Sequence, residues 1–256
     1  MTQAVRSDVK LDRVREWIAE AQRVVVLTGA GISTDSGIPD FRGPQGVWTL
    51  NPKAEQMSDI RYYVADPEVR RLSWQSRLAH PAWTARPNLG HQAIASLEKR
   101  GKLYALITQN IDGLHQRAGI APELVIEVHG NLHQAVCLSC GWKGPMQGVL
   151  DRVRAGEEDP ACGECDGILK SDTISFGQAL IPQVIERALR VAAECDLLLA
   201  VGSTLQVYPV AGAVPLAKDA GARVVIMNAQ PTQFDDIADA VLRMHIGEAL
   251  PFLCAA

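Results

Sequence analysis

The chain has no run approaching the roughly 18 uninterrupted apolar residues of a membrane span, and charges are scattered through its N-terminal stretch, where a secretory leader needs an apolar core. No membrane partner is therefore expected, and the cytoplasm is the expected compartment. An excess of either charge is also missing: 25 basic side chains stand against 29 acidic ones, a formal net charge of -4. That balance argues against a nucleic-acid surface, and with 47% hydrophobic residues it argues against a disordered chain. Cysteine is too sparse, at 6 in 256 residues, for a disulfide scaffold. Internal repeats and low-complexity tracts are absent. The length allows one large domain, or a main domain carrying a smaller insertion.

What is present is an alternation. Short apolar runs at 24–28, 103–108, 124–128, 197–201 and 223–227 read as buried parallel strands, separated by helical patterns at 11–21, 91–99 and 182–193. The alternation predicts an α/β fold: a doubly wound parallel Rossmann-like sheet with a small zinc-binding module and a helical insertion. Residues 1–48, 89–130 and 175–256 are assigned to the sheet domain. Residues 49–88, punctuated by Pro52, Pro67, Pro81 and Pro87, form the helical insertion, and 131–174 the cysteine-bearing module. Open α/β sheets bind ligands beyond the carboxyl ends of their strands. The polar stretches Thr28-Gly29, Thr108-Gln109-Asn110, Val128-His129-Gly130, Val201-Gly202-Ser203-Thr204 and Met227-Asn228 are therefore expected to converge on one crevice.

Four of the cysteines fall in two C-x-x-C pairs, Cys137 with Cys140 and Cys162 with Cys165, with 21 residues between the pairs. Four thiolates at that spacing suit one tetrahedral Zn²⁺ and leave no coordination position for a water, so the metal is expected to be structural. Cys195 and Cys254 read as small apolar fillers. Gly29-Ala30-Gly31 follows the first strand as a dinucleotide loop does, but the next glycine is Gly37, too late for the usual fingerprint. Ser33 and Thr34 sit where a helix start would aim free amides at an anionic pyrophosphate. Asp40, Phe41 and Arg42 follow on a loop; Arg42 pairing with phosphate and Phe41 shielding a reacting centre is one reading, an ordinary surface turn the other. Gln109, Asn110 and Asp112 suit a carboxamide or ribose hydroxyls, or else cap a helix. His129, at a strand end before Gly130, is a candidate general base. His80, His91, His115, His133 and His245 read as structural.

Taken together, Gly29-Ala-Gly-Ile-Ser33, Pro39-Asp-Phe-Arg42, Gln109-Asn-Ile-Asp112, Glu127-Val-His129-Gly130, the two cysteine pairs and Gly202-Ser-Thr204 occur in the order and at the separations of one family. Over residues 17–253 the chain resembles a sirtuin, a zinc-containing NAD-dependent protein deacylase of bacterial type. The resemblance implies NAD as co-substrate and an acyl-lysine protein or peptide as partner, bound in a cleft between the sheet domain and the zinc module. It places Gly29, Ala30, Gly31 and Ser33 along the pyrophosphate and nearby ribose, with Asp40, Phe41 and Arg42 on a cofactor loop. Gln109, Asn110 and Asp112 are implied to hold the nicotinamide ribose and carboxamide, Gly202, Ser203 and Asn228 the adenosine half, and Ile246 the adenine. His129 is implied to be the general base, with Asn110 and Asp112 as its catalytic companions.

The substrate strand is implied to pair between 175–178, with Phe176 and Gly177, and 205–208, with Val207. Gln178 stands where the family commonly has an acidic residue. Trp74-Gln-Ser-Arg77 lies where members that remove acidic acyl groups have Tyr and Arg; Arg77 matches and Trp74 does not, so acetyl is the expected acyl group. Two alternatives share the crevice: mono-ADP-ribosyl transfer and NAD hydrolysis. A dehydrogenase fits less well, because the fingerprint spacing is broken and no acidic residue follows a second strand about 20 residues on.

Overall fold

A computed structural model describes residues 3–41, 43, 46–50 and 58–255 of the chain. The strands, in chain order, are β1 (Val24–Thr28), β2 (Leu103–Thr108), β3 (Val125–Glu127), β4 (Gly130–Cys137), β5 (Lys143–Pro145), β6 (Leu169–Thr173), β7 (Leu197–Val201), β8 (Arg223–Met227) and β9 (Ala240–Leu242). Six of them form a parallel sheet in the order β3-β2-β1-β7-β8-β9. The chain leaves β1 in one direction and returns at β7 in the other, so the topological switch point lies between these two central strands.

The sheet is covered on both faces, which is why β1 and β7 are apolar at nearly every position rather than alternating. Val24, Val26, Leu197, Leu199 and Val225 pack under the helices Gln3–Glu20, Leu89–Lys99 and Ile246–Cys254. The intervening Val25, Leu27, Leu198, Ala200, Val224 and Ile226 pack under Pro182–Glu194 and Ala213–Asp219. β9 was not anticipated: three residues leave too short an apolar run to stand out from the chain around it.

The small lobe is an antiparallel sheet, β5-β4-β6, backed by the helix Met146–Arg154. The insertion is helical where described, with helices Ile60–Ala65 and Pro67–Leu78, each capped by an aspartate side chain at its start. These helices pack on the cysteine module. Tyr63 donates its hydroxyl to the Leu169 carbonyl (2.7 Å), Arg70 pairs with Asp159 (2.8 Å), and Trp74 joins a core with Ala135, Met146, Leu150 and Leu169. Insertion and module thus share one core, although the sequence separates them by the whole of β2 and β3.

Candidate active site

The switch point is closed around glycine. Gly29 N-H donates to Val201 O (3.0 Å), Gly31 N-H to Gly202 O (2.9 Å), and Gly202 N-H to Met227 O (2.8 Å), so the loops after β1, β7 and β8 are laced together. A Cβ on Gly31 would stand 2.8 Å from Gly202 Cα, and one on Gly202, whose φ is +64°, only 2.5 Å from Ile32 N. These glycines are therefore required by backbone meeting backbone, before any phosphate is considered.

The expected helix start at Ser33 is corrected by the structure. Residues Ala30–Ser36 form a 3-10 helix in which Ile32 N-H already bonds Gly29 O. Ser33 is 1% exposed, and its hydroxyl donates to Asp112 Oδ2 at 2.7 Å.

Asn110 and Asp112 follow β2 directly and are buried in the same place. Asn110 donates its side-chain amide to Gly29 O (3.1 Å) and Ser33 Oγ (3.2 Å), while its backbone N-H donates to Thr108 Oγ1 (3.1 Å). Asp112 Oδ1 accepts from Leu114 N (2.9 Å), and the Asp112 carbonyl lies 3.0 Å from His133 Nε2. Gln109 reaches across to Ser203 Oγ (2.9 Å), and its carbonyl lies 3.1 Å from His129 Nδ1. A carbonyl only accepts, so His129 carries its proton on Nδ1 and presents Nε2 as the basic nitrogen. Burial holds the His129 imidazole below the ordinary histidine range, opposed by that bond to Gln109. Behind it, the Glu127 carboxylate accepts from Gln116 (3.0 Å) and Asn131 (3.1 Å), and burial pushes its pKa up.

At the far side of the switch point, Asn228 follows β8, bonded through its side chain to Gln230 O (2.9 Å). Ile246 opens the last helix, and its side chain and that of Ile32 both lie over Gly90. Ala30 is half-buried. Asp40 accepts from Gly43 N-H (2.9 Å), Phe41 is 43% exposed, and Arg42 lies outside the described residues.

The expected peptide edge is partly occupied. Phe176 N-H donates to Ser58 O (2.9 Å) and Phe176 O accepts from Ile60 N-H (3.0 Å), a parallel bridge to the insertion. Gly177 turns away from it at φ +76°, and Val207 lies half-buried on the opposite segment. Trp74 packs in the core: it is 1% exposed inside the small lobe, and its indole N-H finds no acceptor among the described residues. Arg77, one turn on, is half-buried beside Tyr63, and desolvation disfavours its charge.

The four cysteines gather as expected. Their Sγ atoms all lie within 4.8 Å of one another, with Cys137 to Cys165 at 3.6 Å and Cys140 to Cys162 at 3.7 Å. A tetrahedron with Zn–S bonds of about 2.3 Å has edges of about 3.8 Å, so the four sulfurs are positioned to bind one zinc ion. The N-H groups of Ser139 and Cys140 point at Cys137 Sγ (3.4 and 3.5 Å), as an anionic sulfur requires. The bonds that the sequence reading did not supply are those of the supports: Thr28 and Thr108, expected only as strand ends, and His115 and His133, expected only as structural. The only available signal was a polar residue closing each of two apolar strands.

A switch-point crevice lined by glycine, histidine, asparagine and aspartate, beside a lobe stapled by four thiolates, defines a nucleotide-binding α/β protein with a structural-metal lobe. Residues 29–209 match the Sir2 family, and the chain belongs to it. It is 49% identical over 230 residues to NAD-dependent protein deacetylase 2 of Streptomyces coelicolor, covering 90% of this chain and 95% of that one. It is 46% identical to NAD-dependent protein deacetylase 1 of Bradyrhizobium diazoefficiens, covering 97% and 98%. A solved structure of Sir2 with a p53 peptide and NAD+ superposes with a TM-score of 0.84 at 35% identity, over 94% of this chain and 95% of that one.

Proposed function

We propose that the protein is an NAD-dependent protein-lysine deacylase acting chiefly on acetyl-lysine, with nicotinamide, free lysine and O-acyl-ADP-ribose as products. One observation carries the reading: His129, on the loop after β3, is held with Nε2 as its basic nitrogen by the carbonyl of Gln109, which opens the loop after β2 that carries Asn110 and Asp112. NAD, consumed as co-substrate, supplies the ADP-ribose that accepts the acyl group once nicotinamide has left. Asn110 and Asp112, each fixed by Ser33, orient the nicotinamide ribose, and Gln109 adds to the same contact. His129 Nε2 takes the proton from a ribose hydroxyl, help typically worth ~10²- to 10⁴-fold in rate. Gly29, Ala30, Gly31 and Ser33 follow the pyrophosphate; Gly202, Ser203, Asn228 and Ile246 the adenosine half. Asp40, Phe41 and Arg42 cover the reacting centre.

The acyl-lysine strand pairs along Gly177 and Val207, beside Phe176, with Arg77 at the acyl end. Four thiolates hold the zinc remote from this chemistry, where it fixes the shape of the small lobe. No described helix is long and apolar enough to cross a membrane. A cytoplasmic place of work is part of the proposal, because a reducing compartment keeps zinc-ligating thiols from oxidising. The test is incubation with NAD and an acetyl-lysine peptide, read by mass spectrometry. Free lysine with acetyl-ADP-ribose is expected; ADP-ribosylated protein or bare ADP-ribose alone would move the assignment to transfer or hydrolysis at the same site.

A further inference from the structure

Beneath Asn110 lies a buried pair of imidazoles. His91 and His115 are 0% and 1% exposed, with ring centroids 4.9 Å apart and ring planes inclined by 55°. His115 Nε2 is 3.0 Å from Thr28 Oγ1, and the Thr28 hydroxyl donates to Thr108 Oγ1 at 2.9 Å. With its only proton committed to Thr108, Thr28 accepts from His115, which puts the His115 proton on Nε2 and leaves Nδ1 a bare acceptor. His91 Nδ1 accepts from the Asn88 N-H at 3.3 Å, so a neutral His91 carries its proton on Nε2. Each ring is then left with one buried nitrogen lacking a partner among the described residues, Nε2 of His91 and Nδ1 of His115. One is a donor and the other an acceptor. Buried apart they would both remain unsatisfied; joined, each completes the other.

We propose that His91 and His115 form a neutral relay, His91 Nε2-H donating to His115 Nδ1 through one buried water, and that this relay positions Asn110. The relay has two defined ends. At one, Thr108 Oγ1 receives the Asn110 backbone N-H. At the other, Asn88 donates its side-chain amide to Ile32 O (2.8 Å) and Ser36 Oγ (2.9 Å), within the 3-10 turn behind the glycines. The two loops that frame the ribose site are thereby connected through the protein interior. Neither histidine touches the crevice, so both are positioning residues.

A relay of this kind works only with uncharged rings, since a proton on either bare nitrogen removes its acceptor. Burial supplies that condition: it lowers His91 to about 4 and His115 well below the ordinary histidine range. The charged or titratable groups facing the pair are Asp112, which favours a charged His91, and His91 itself, which disfavours a charged His115.

The kinetic consequence rests on the role proposed for Asn110; the proton positions do not. Full-length, zinc-loaded protein labelled with ¹⁵N-histidine is examined by long-range proton–nitrogen NMR at pH 7. Both rings are expected neutral, with protonated Nε2 and bare Nδ1; an Nδ1-H or a doubly protonated ring at either position overturns the relay. In parallel, His115→Phe removes donor and acceptor, whereas His115→Gln retains a donor toward Thr28. His91→Asn keeps an acceptor for the Asn88 N-H and deletes the link. The Phe and Asn variants are expected to lose roughly tenfold in kcat, the effect of one hydrogen bond of about 1.4 kcal/mol, with the peptide KM unchanged and Gln restoring most of the loss. A folded Phe variant with parental kcat, or a Gln variant no better than Phe, overturns the positioning role. Should a variant not fold, the NMR result on the unsubstituted protein decides. Absence of deacylation in the unsubstituted protein would instead refute the functional reading, with the tautomers still read.

Discussion

Replacing Gly202 by alanine tests whether the switch point is built as described. At φ +64° a side-chain-bearing residue is in the left-handed region, at a cost of roughly 1 to 2 kcal/mol. The new Cβ would also lie 2.5 Å from Ile32 N and 2.8 Å from Gly31 C, both backbone atoms that no rotamer change can move. The loop after β1 has to retreat, which loosens the bond from Gly31 N-H to Gly202 O and with it about 0.5 to 1.5 kcal/mol. Together these give a loss of about 1.5 to 3.5 kcal/mol, a fall in Tm of the order of 5 to 10 °C for a chain of this size. Because the displaced loop carries the Gly29 carbonyl that holds Asn110, the NAD KM should rise by about tenfold or more, the equivalent of about 1.4 kcal/mol. Zinc content should stay at parental level, since the small lobe is built from other strands. Calorimetry, NAD titration at saturating acetyl-peptide and metal analysis read the three quantities. An alanine variant with the parental Tm and NAD KM would refute the reasoning.

Four further outcomes are expected. His129→Ala should abolish turnover of an acetyl-lysine peptide while leaving NAD binding and the melting curve near parental values; near-parental turnover would remove His129 from the chemistry. The acidic limb of kcat/KM should fall below the ordinary imidazole value of about 6.5, because burial lowers the His129 pKa and the base is active only when neutral, so activity is gained as pH rises through that lowered value; a limb above 7 contradicts the assignment. Purified protein should contain one zinc per chain, and Cys162→Ser should lose both the metal and several kcal/mol of stability, given that structural zinc contributes about 10 to 16 kcal/mol in small peptides; well-folded, active protein without zinc would be the contrary result. With one peptide in acetylated and succinylated form, kcat/KM should favour acetyl, and Arg77→Met should lower the succinyl value further; a succinyl preference in the parent would show that Arg77 suffices without a partner from Trp74.

The large sheet was legible because each of its central strands advertises itself twice. Val24-Val25-Val26-Leu27 is apolar at every position, as only a strand covered on both faces can be, and it ends in a polar residue and a glycine where the chain must turn at the ligand edge. The zinc site was legible for a different reason. Two C-x-x-C pairs bring their thiolates together through local turns, and the distance between the pairs along the chain matters little once β4 and β6 pair.

What stayed hidden is decided by register and packing between distant segments. Thr28 and Thr108 look like ordinary strand ends until the parallel register of β1 and β2 sets them opposite each other, at which point one hydroxyl faces the other and Asn110 is tethered to the sheet. His115 has no meaning in the sequence apart from Thr28, which lies 87 positions away, and His91 none apart from His115. Trp74 is a case that the sequence left open. Its three-residue spacing to Arg77 matches that of the Tyr and Arg pair in members that remove acidic acyl groups, but residues three apart on a helix, though neighbours along one face, need not end in the same environment, and the larger apolar ring went to the side where Met146 and Leu150 could bury it. A motif in this chain therefore locates the reacting groups, while the geometry that holds them depends on contacts made only after the sheet has closed.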